Sequence, residues 1–144
     1  MSRSFPLAGL LRLRQLREDE AAGSLSAANE RLRSSRSHAE TVTEALGATE
    51  LNPSEVASLY AVAAARASAR SVLADLHALE AHLQQEQDRA QERYRAARAE
   101  TLALEKLEDR HRQGEAAAEL DAEQRALDEL ASTGWTRRAD KDRP

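Results

Sequence analysis

Leu46-Gly47-Ala48-Thr49-Glu50-Leu51-Asn52-Pro53-Ser54-Glu55-Val56 is the stretch that punctuates an otherwise uninterrupted helical sequence. Gly47 can end a helix, because without a Cβ it enters the left-handed conformation at little cost. Asn52 can cap the next helix, Pro53 suits its first turn, and Glu55 can return a bond to the Asn52 amide. The other prolines, Pro6 and Pro144, stand at the ends. Working outward, the sequence predicts a first helix over about 5–46, a turn over 47–52 and a second helix over about 53–131. Residues 132–144, Trp135 among them, read as a flexible tail, and the whole as one elongated domain. At 1.5 Å per residue the helices would extend roughly 60 and 120 Å.

Composition agrees. Of 144 residues, 30 are Ala, 20 Leu, 19 Arg, 17 Glu and 2 Lys. These make up about 61% of the chain, where roughly 50% already marks long helices and coiled coils. There is no Ile, there are four Val, and Phe5, Tyr60, Tyr94 and Trp135 are the aromatic residues. A sheet needs β-branched and aromatic side chains, so the fold class is all-α. Few side chains are large enough to fill a globular core.

Heptad spacing pairs the two helices. On the first, one seam position recurs at Leu11, Glu18, Leu25, Leu32, Ala39 and Leu46, the other at Leu7, Arg14, Ala21, Ala28, Ser35 and Val42. On the second, the repeat runs Val62, Ala69, Leu76, Leu83, Ala90, Ala97 and Leu104, flanked by Leu59, Leu73 and Tyr94. The expected fold is a long antiparallel two-helix coiled-coil hairpin with helix 2 overhanging helix 1. A turn near residue 50 would set Leu25 by Leu76, Leu11 by Ala90 and Leu7 by Tyr94. Two apolar remainders follow. About 35 residues of helix 2 extend past helix 1, with Leu120 and Leu127 on a new stripe. At 100° per residue Leu16 and Leu13 lie about 180° and 240° round from Leu7, outside a two-helix seam.

Charge and chemistry narrow the function. Net charge is −4, from 21 basic and 25 acidic residues interspersed along the chain, not the one-sided basic field that nucleic acid requires. Without cysteine there are no disulfides, thiolate sites or cysteine nucleophiles. His38, His77, His82 and His111 form no metal-ligating pair, and Glu108-x-x-His111 is half of a di-iron motif lacking its second half. The five glycines build no phosphate loop, and paired carboxylates such as Asp19-Glu20 have no cleft to tune them. The expectation is no catalytic residue, no metal and no cofactor. No apolar run reaches the ~18–20 residues that cross a bilayer. Arg14 and Arg17 fall within the leucine arc of the N-terminal turns, whereas a membrane-surface helix segregates its faces. The chain reads as a soluble intracellular protein without direct membrane insertion, its leucine-rich start suited to a protein socket or, alternatively, to simple coiled-coil packing.

The order of motifs resembles a known family. Phe5-Pro6-Leu7-Ala8-Gly9-Leu10-Leu11-Arg12-Leu13-Arg14, followed by Arg17-Glu18-Asp19-Glu20-Ala21-Ala22, is similar to the opening of the flagellar export protein FliJ family. Leu104-Glu105-Lys106-Leu107, then Glu119, Asp121 and Leu127-Asp128-Glu129-Leu130-Ala131, resembles the family's closing helix. The resemblance implies a non-enzymatic coiled coil shaped like the central stalk of a rotary ATPase, a component of the flagellar type III export apparatus. It further implies insertion of the paired ends into the hexameric export ATPase, contact with the cytoplasmic domain of the export gate, and freed export chaperones as a third partner. By position the ATPase-facing group would be Phe5, Leu10, Leu13, Arg14 and Leu16 with Leu120, Leu127 and Leu130. The gate-facing part of helix 2 retains Tyr60 but continues in alanine. The implied location is cytoplasmic, peripheral at the inner membrane. A structural scaffold or oligomerisation module of another system is the alternative reading.

Overall fold

A computed structural model describes residues 4–49 and 56–141, the last six of them by backbone alone. It consists of two long helices packed against each other as a hairpin, α1 (Ala8–Ala48) and α2 (Val56–Lys141), with no strand among the described residues. Pro6 lies in the turn that leads into α1, where its missing N–H costs nothing. That turn is closed by Ala8 N–H donating to Phe5 O at 3.1 Å and Leu11 N–H donating to Leu7 O at 2.9 Å.

Two boundaries differ from the sequence reading. Gly47 lies within α1, and no glycine among the described residues has positive φ. The helix end is instead served by Thr49, whose Oγ1 donates to Ala45 O at 3.0 Å. The expected cap at Asn52, Pro53 and Glu55 lies outside the described residues. At the other end α2 runs through Gly114 and Gly134 to Lys141, so residues 132–141 are helix where a tail was expected. An interior Gly costs only about 1 kcal/mol. The neighbouring Thr133 Oγ1 donates to Glu129 O at 2.8 Å, inside the helical pattern.

Contacts group the chain into two units, one of residues 16–98 and one of residues 1–15 with 99–144. In the first, Ala28 and Leu32 of α1 and Leu76, Leu83 and Ala90 of α2 are buried, all on the expected seam positions. Leu59, expected to flank that seam, is exposed. The second seam row of α2 carries Arg66, Leu73, Glu80, Gln87 and Tyr94, each partly covered. It escapes a search for apolar repeats because most of it is polar.

The register is the main correction. Glu18 meets Arg98 at 3.3 Å, Arg31 meets Glu86 at 3.3 Å, and Arg36 meets Glu80 at 2.7 Å and Gln84 at 3.0 Å. Each partner lies about 15 residues, close to two heptads, farther along α2 than the turn position implied. Leu25 is therefore not level with Leu76. A heptad repeat looks the same after sliding by seven, so the leucines alone leave the choice open, whereas charged pairs align in one register. In this register the first turns of α2 have no α1 opposite them, which accounts for the exposure of Val56, Leu59 and Tyr60.

In the other unit Leu11 and Leu104 are buried with Thr101, which is fully covered. Arg14 forms an ion pair with Glu100, and Phe5 meets the His111 ring edge-on, centroids 5.7 Å apart and planes at 61°. These contacts set Leu11 level with Leu104, not Ala90, and the start of α1 level with residues 108–111. Leu7 stands opposite that level and is more exposed than its seam position predicts. Beyond Glu115 every residue of α2 whose side chain is described is exposed, so helix 2 overhangs helix 1.

Candidate protein-interaction surface

The expected ATPase-facing residues separate into three kinds. Phe5 and Arg14 are engaged within their own unit, Phe5 half-buried on His111 and Arg14 paired to Glu100. They fix the start of α1 against α2 more than they present a surface. Leu10 and Leu13 are exposed, Leu13 at 45%. Leu16 is 61% exposed and belongs to the unit of residues 16–98. Leu13 and Leu16 thus face away from the seam, where the helical-wheel angles put them.

The distal leucines form the clearest surface. Leu120, Leu127 and Leu130 are exposed at 67%, 61% and 70%. With Leu120 at 0°, Leu127 lies at about 340°, Leu130 at about 280°, Ala116 at about 320° and Ala131 at about 20° round the helix. This stripe is not a continuation of the intramolecular seam, whose heptad positions pass through Ala118, Ala122, Arg125 and Glu129. Glu119 lies on one edge, Asp121 and Asp128 on the other, and Glu123, at about 300°, lies within it. Arg125 answers one of these carboxylates, Asp121, at 3.2 Å, and Gln124 donates to Asp128 at 3.3 Å.

Three apolar side chains of this unit escaped the sequence reading. Leu102 and Leu107 are exposed beside the seam, and Trp135, read as tail, is an exposed helical residue. Leu102 and Leu107 could have been found from the gap between their heptad positions and the seam rows. Trp135 required knowing that the helix survives Gly134. Tyr60, the expected gate-facing residue, is 74% exposed and shares the start of α2 with exposed Val56 and Leu59.

No group of three His, Asp or Glu side chains among the described residues is placed to hold a metal ion. Among the described residues no helix is long and apolar enough to cross a membrane. What these surfaces offer chemically is apolar contact with charged margins, the makings of protein recognition.

Comparison with curated proteins and with solved structures gave no match. The model of one family, described as Flagellar FliJ protein, matches residues 3–140. With nearly the whole chain covered and the paired helices in place, this protein belongs to the flagellar FliJ family, a family of non-catalytic components of flagellar export.

Proposed function

We propose that the chain is a non-enzymatic stalk of the flagellar type III export apparatus that binds the hexameric export ATPase and promotes its assembly. The observation that carries this reading is the overhang of α2: Leu120, Leu127 and Leu130 are exposed on one stripe, and no described part of the chain covers them. A stripe of leucines with charged margins is unfavourable in water and suits an apolar socket in another protein. Leu10 and Leu13 belong to the same proposed contact, held in place by Phe5 and Arg14, and Leu16 is proposed as a further contact in its own right. Tyr60, at the start of α2, is the proposed point of contact with the cytoplasmic domain of the export gate. Freed export chaperones complete the proposed partners. The proposed location is the cytoplasm, peripherally at the cytoplasmic face of the inner membrane.

The test is a pull-down and an ATPase titration with the cognate export ATPase under ring-forming conditions. The chain should raise hydrolysis several-fold, and Leu127→Asp should remove most of that effect. The carboxylate would have to be desolvated in the socket, and each ~1.4 kcal/mol lost is tenfold in affinity. An ATPase that neither binds the chain nor responds to it would overturn the reading.

A further inference from the structure

We propose that the distal stripe of α2 is one half of a coiled coil whose other half is a helix of the partner, carrying an arginine or lysine opposite Glu123. The stripe has the spacing of a seam. Ala116, Leu120, Glu123, Leu127 and Leu130 follow one another at intervals of four, three, four and three residues, two heptads over roughly 21 Å. All five fall within about 80° round the helix, inside the arc that one facing helix covers. Glu123 holds the central position, three residues after Leu120 and four before Leu127, where an apolar side chain would complete the row.

Elsewhere the chain shows what such a position requires. Glu18 stands in a seam row between Leu11 and Leu25, and the opposing helix answers it with Arg98 at 3.3 Å, leaving the Glu18 side chain 14% exposed. A helix docked over Glu123 desolvates its carboxylate in the same way, and a carboxylate taken from water without a partner is strongly unfavourable. Its own segment offers none. Among the described residues Glu123 has no hydrogen-bond or ion-pair partner. Arg125 is the one cation in residues 116–135, lies about 200° round the helix from Glu123, and is paired to Asp121. The cation therefore comes from the partner.

The same inventory narrows what the partner is. A second copy laid stripe to stripe would bring two glutamates to the seam and no cation to meet them. A wholly apolar pocket would bury Glu123 unanswered. A helix with apolar residues at seam spacing and one basic residue among them meets both demands. It also sets the register, because sliding it by a heptad moves its cation from Glu123 onto Ala116 or Leu130.

This inference rests on the export ATPase as the partner, and its test separates the two readings. The full chain and its variants are titrated onto the cognate ATPase. Wild type should bind and Leu127→Asp should not; a wild-type chain that fails to bind would overturn the ATPase reading and this assignment with it. Glu123→Gln should weaken binding about tenfold, ~1.4 kcal/mol, and flatten its dependence on salt between about 0.1 and 1 M. A purely apolar surface would instead bind Glu123→Gln as tightly as wild type or more so, since less charge is desolvated. Glu129→Gln, the same change on the far side of the helix, should stay within about twofold. Glu123→Lys should abolish binding, and exchanging one arginine or lysine on an ATPase helix for glutamate should restore it. Thermal melts should be alike for all these variants, because the substituted side chains are exposed. If wild type binds and Leu127→Asp does not, undiminished binding by Glu123→Gln, or no exchange in the ATPase that restores Glu123→Lys, would overturn the basic helix and leave the ATPase reading standing.

Discussion

Residues 101–111 and residues 116–135 lie on one helix and carry three leucines each, yet they behave as opposites. The first stretch buries Thr101 and Leu104 and holds the ring of Phe5 on His111. The second exposes every side chain described, three leucines included. Leucine content does not separate them; the phase of the leucines does. Leu104 falls on the row that faces α1, whereas Leu120 and Leu127 fall on the far side of that row's continuation. A leucine contributes to the hairpin when its heptad position faces the partner helix, and otherwise remains available to another molecule.

The largest effect should come from putting the same charge into both stretches. Leu104→Asp should cost about 3–5 kcal/mol, as a buried side chain is lost and a carboxylate is stranded in the seam. Leu127→Asp should shift stability by no more than about 0.5 kcal/mol, because its side chain is already in water. Thermal melts of the two variants measure the contrast, and equal losses would break the distinction between seam and stripe.

A second test sharpens what the seam wants. Glu18 occupies a seam position with its side chain 14% exposed, answered by Arg98 at 41%. Glu18→Leu should raise stability by about 1–2 kcal/mol, since a leucine buried there removes the desolvation of a charge and leaves Arg98 access to water. Denaturant titration should show the midpoint rising. A fall would mean that the ion pair outweighs the apolar row.

Ser35 is the next step down. It is buried between His38, Leu76, Leu79 and Leu83, and its Oγ has no hydrogen-bond partner. Ser35→Ala should stabilise by about 1 kcal/mol, the desolvation cost of the orphaned hydroxyl, visible as a higher melting temperature. The smallest effect belongs to Gly23, an exposed helical position where a Cβ meets nothing within 4 Å. Gly23→Ala should add roughly 0.5–1 kcal/mol through helix propensity alone. A comparable gain at both sites in the same melt would show backbone preference rivalling seam repair.

Much of this was legible in the sequence, and the parts that were not share a cause. The seven buried apolar residues, Leu11, Ala28, Leu32, Leu76, Leu83, Ala90 and Leu104, all sit on rows that heptad counting identifies. Leu13 and Leu16 turn outward as the helical wheel requires. Hidden were features that depend on polar residues or on pairing between helices. Thr101 is the most deeply buried side chain and carries no apolar signal. The register rests on Arg31, Arg36 and Glu18 finding partners that single-helix periodicity cannot name. Gly47 reads as a break because a local rule weighs a glycine alone, whereas the surrounding alanine and charged residues carry the helix through. Of the candidate surface, the distal leucines were visible as a stripe out of phase. The engagement of Phe5 with His111 and of Arg14 with Glu100 required the second helix to be in place.

The register, set by ion pairs over an apolar repeat, gives the hairpin the character of a vernier scale. Its apolar teeth recur every seven residues and are nearly alike, many of them alanine, so sliding one helix by a heptad exchanges one set for a similar one. Sliding breaks the matches of Glu18 with Arg98, Arg31 with Glu86 and Arg36 with Glu80 together. The two more exposed pairs, Arg31 with Glu86 and Arg36 with Glu80, are each worth only about 0–1 kcal/mol. With the part-buried Glu18–Arg98 pair they supply a detent, a shallow preference for one mark on the scale. The same side chains that add little to the depth of the fold decide which rung of one helix faces which rung of the other. Through that choice they leave the first turns of α2, with Val56, Leu59 and Tyr60, without a facing helix and free for something else to hold.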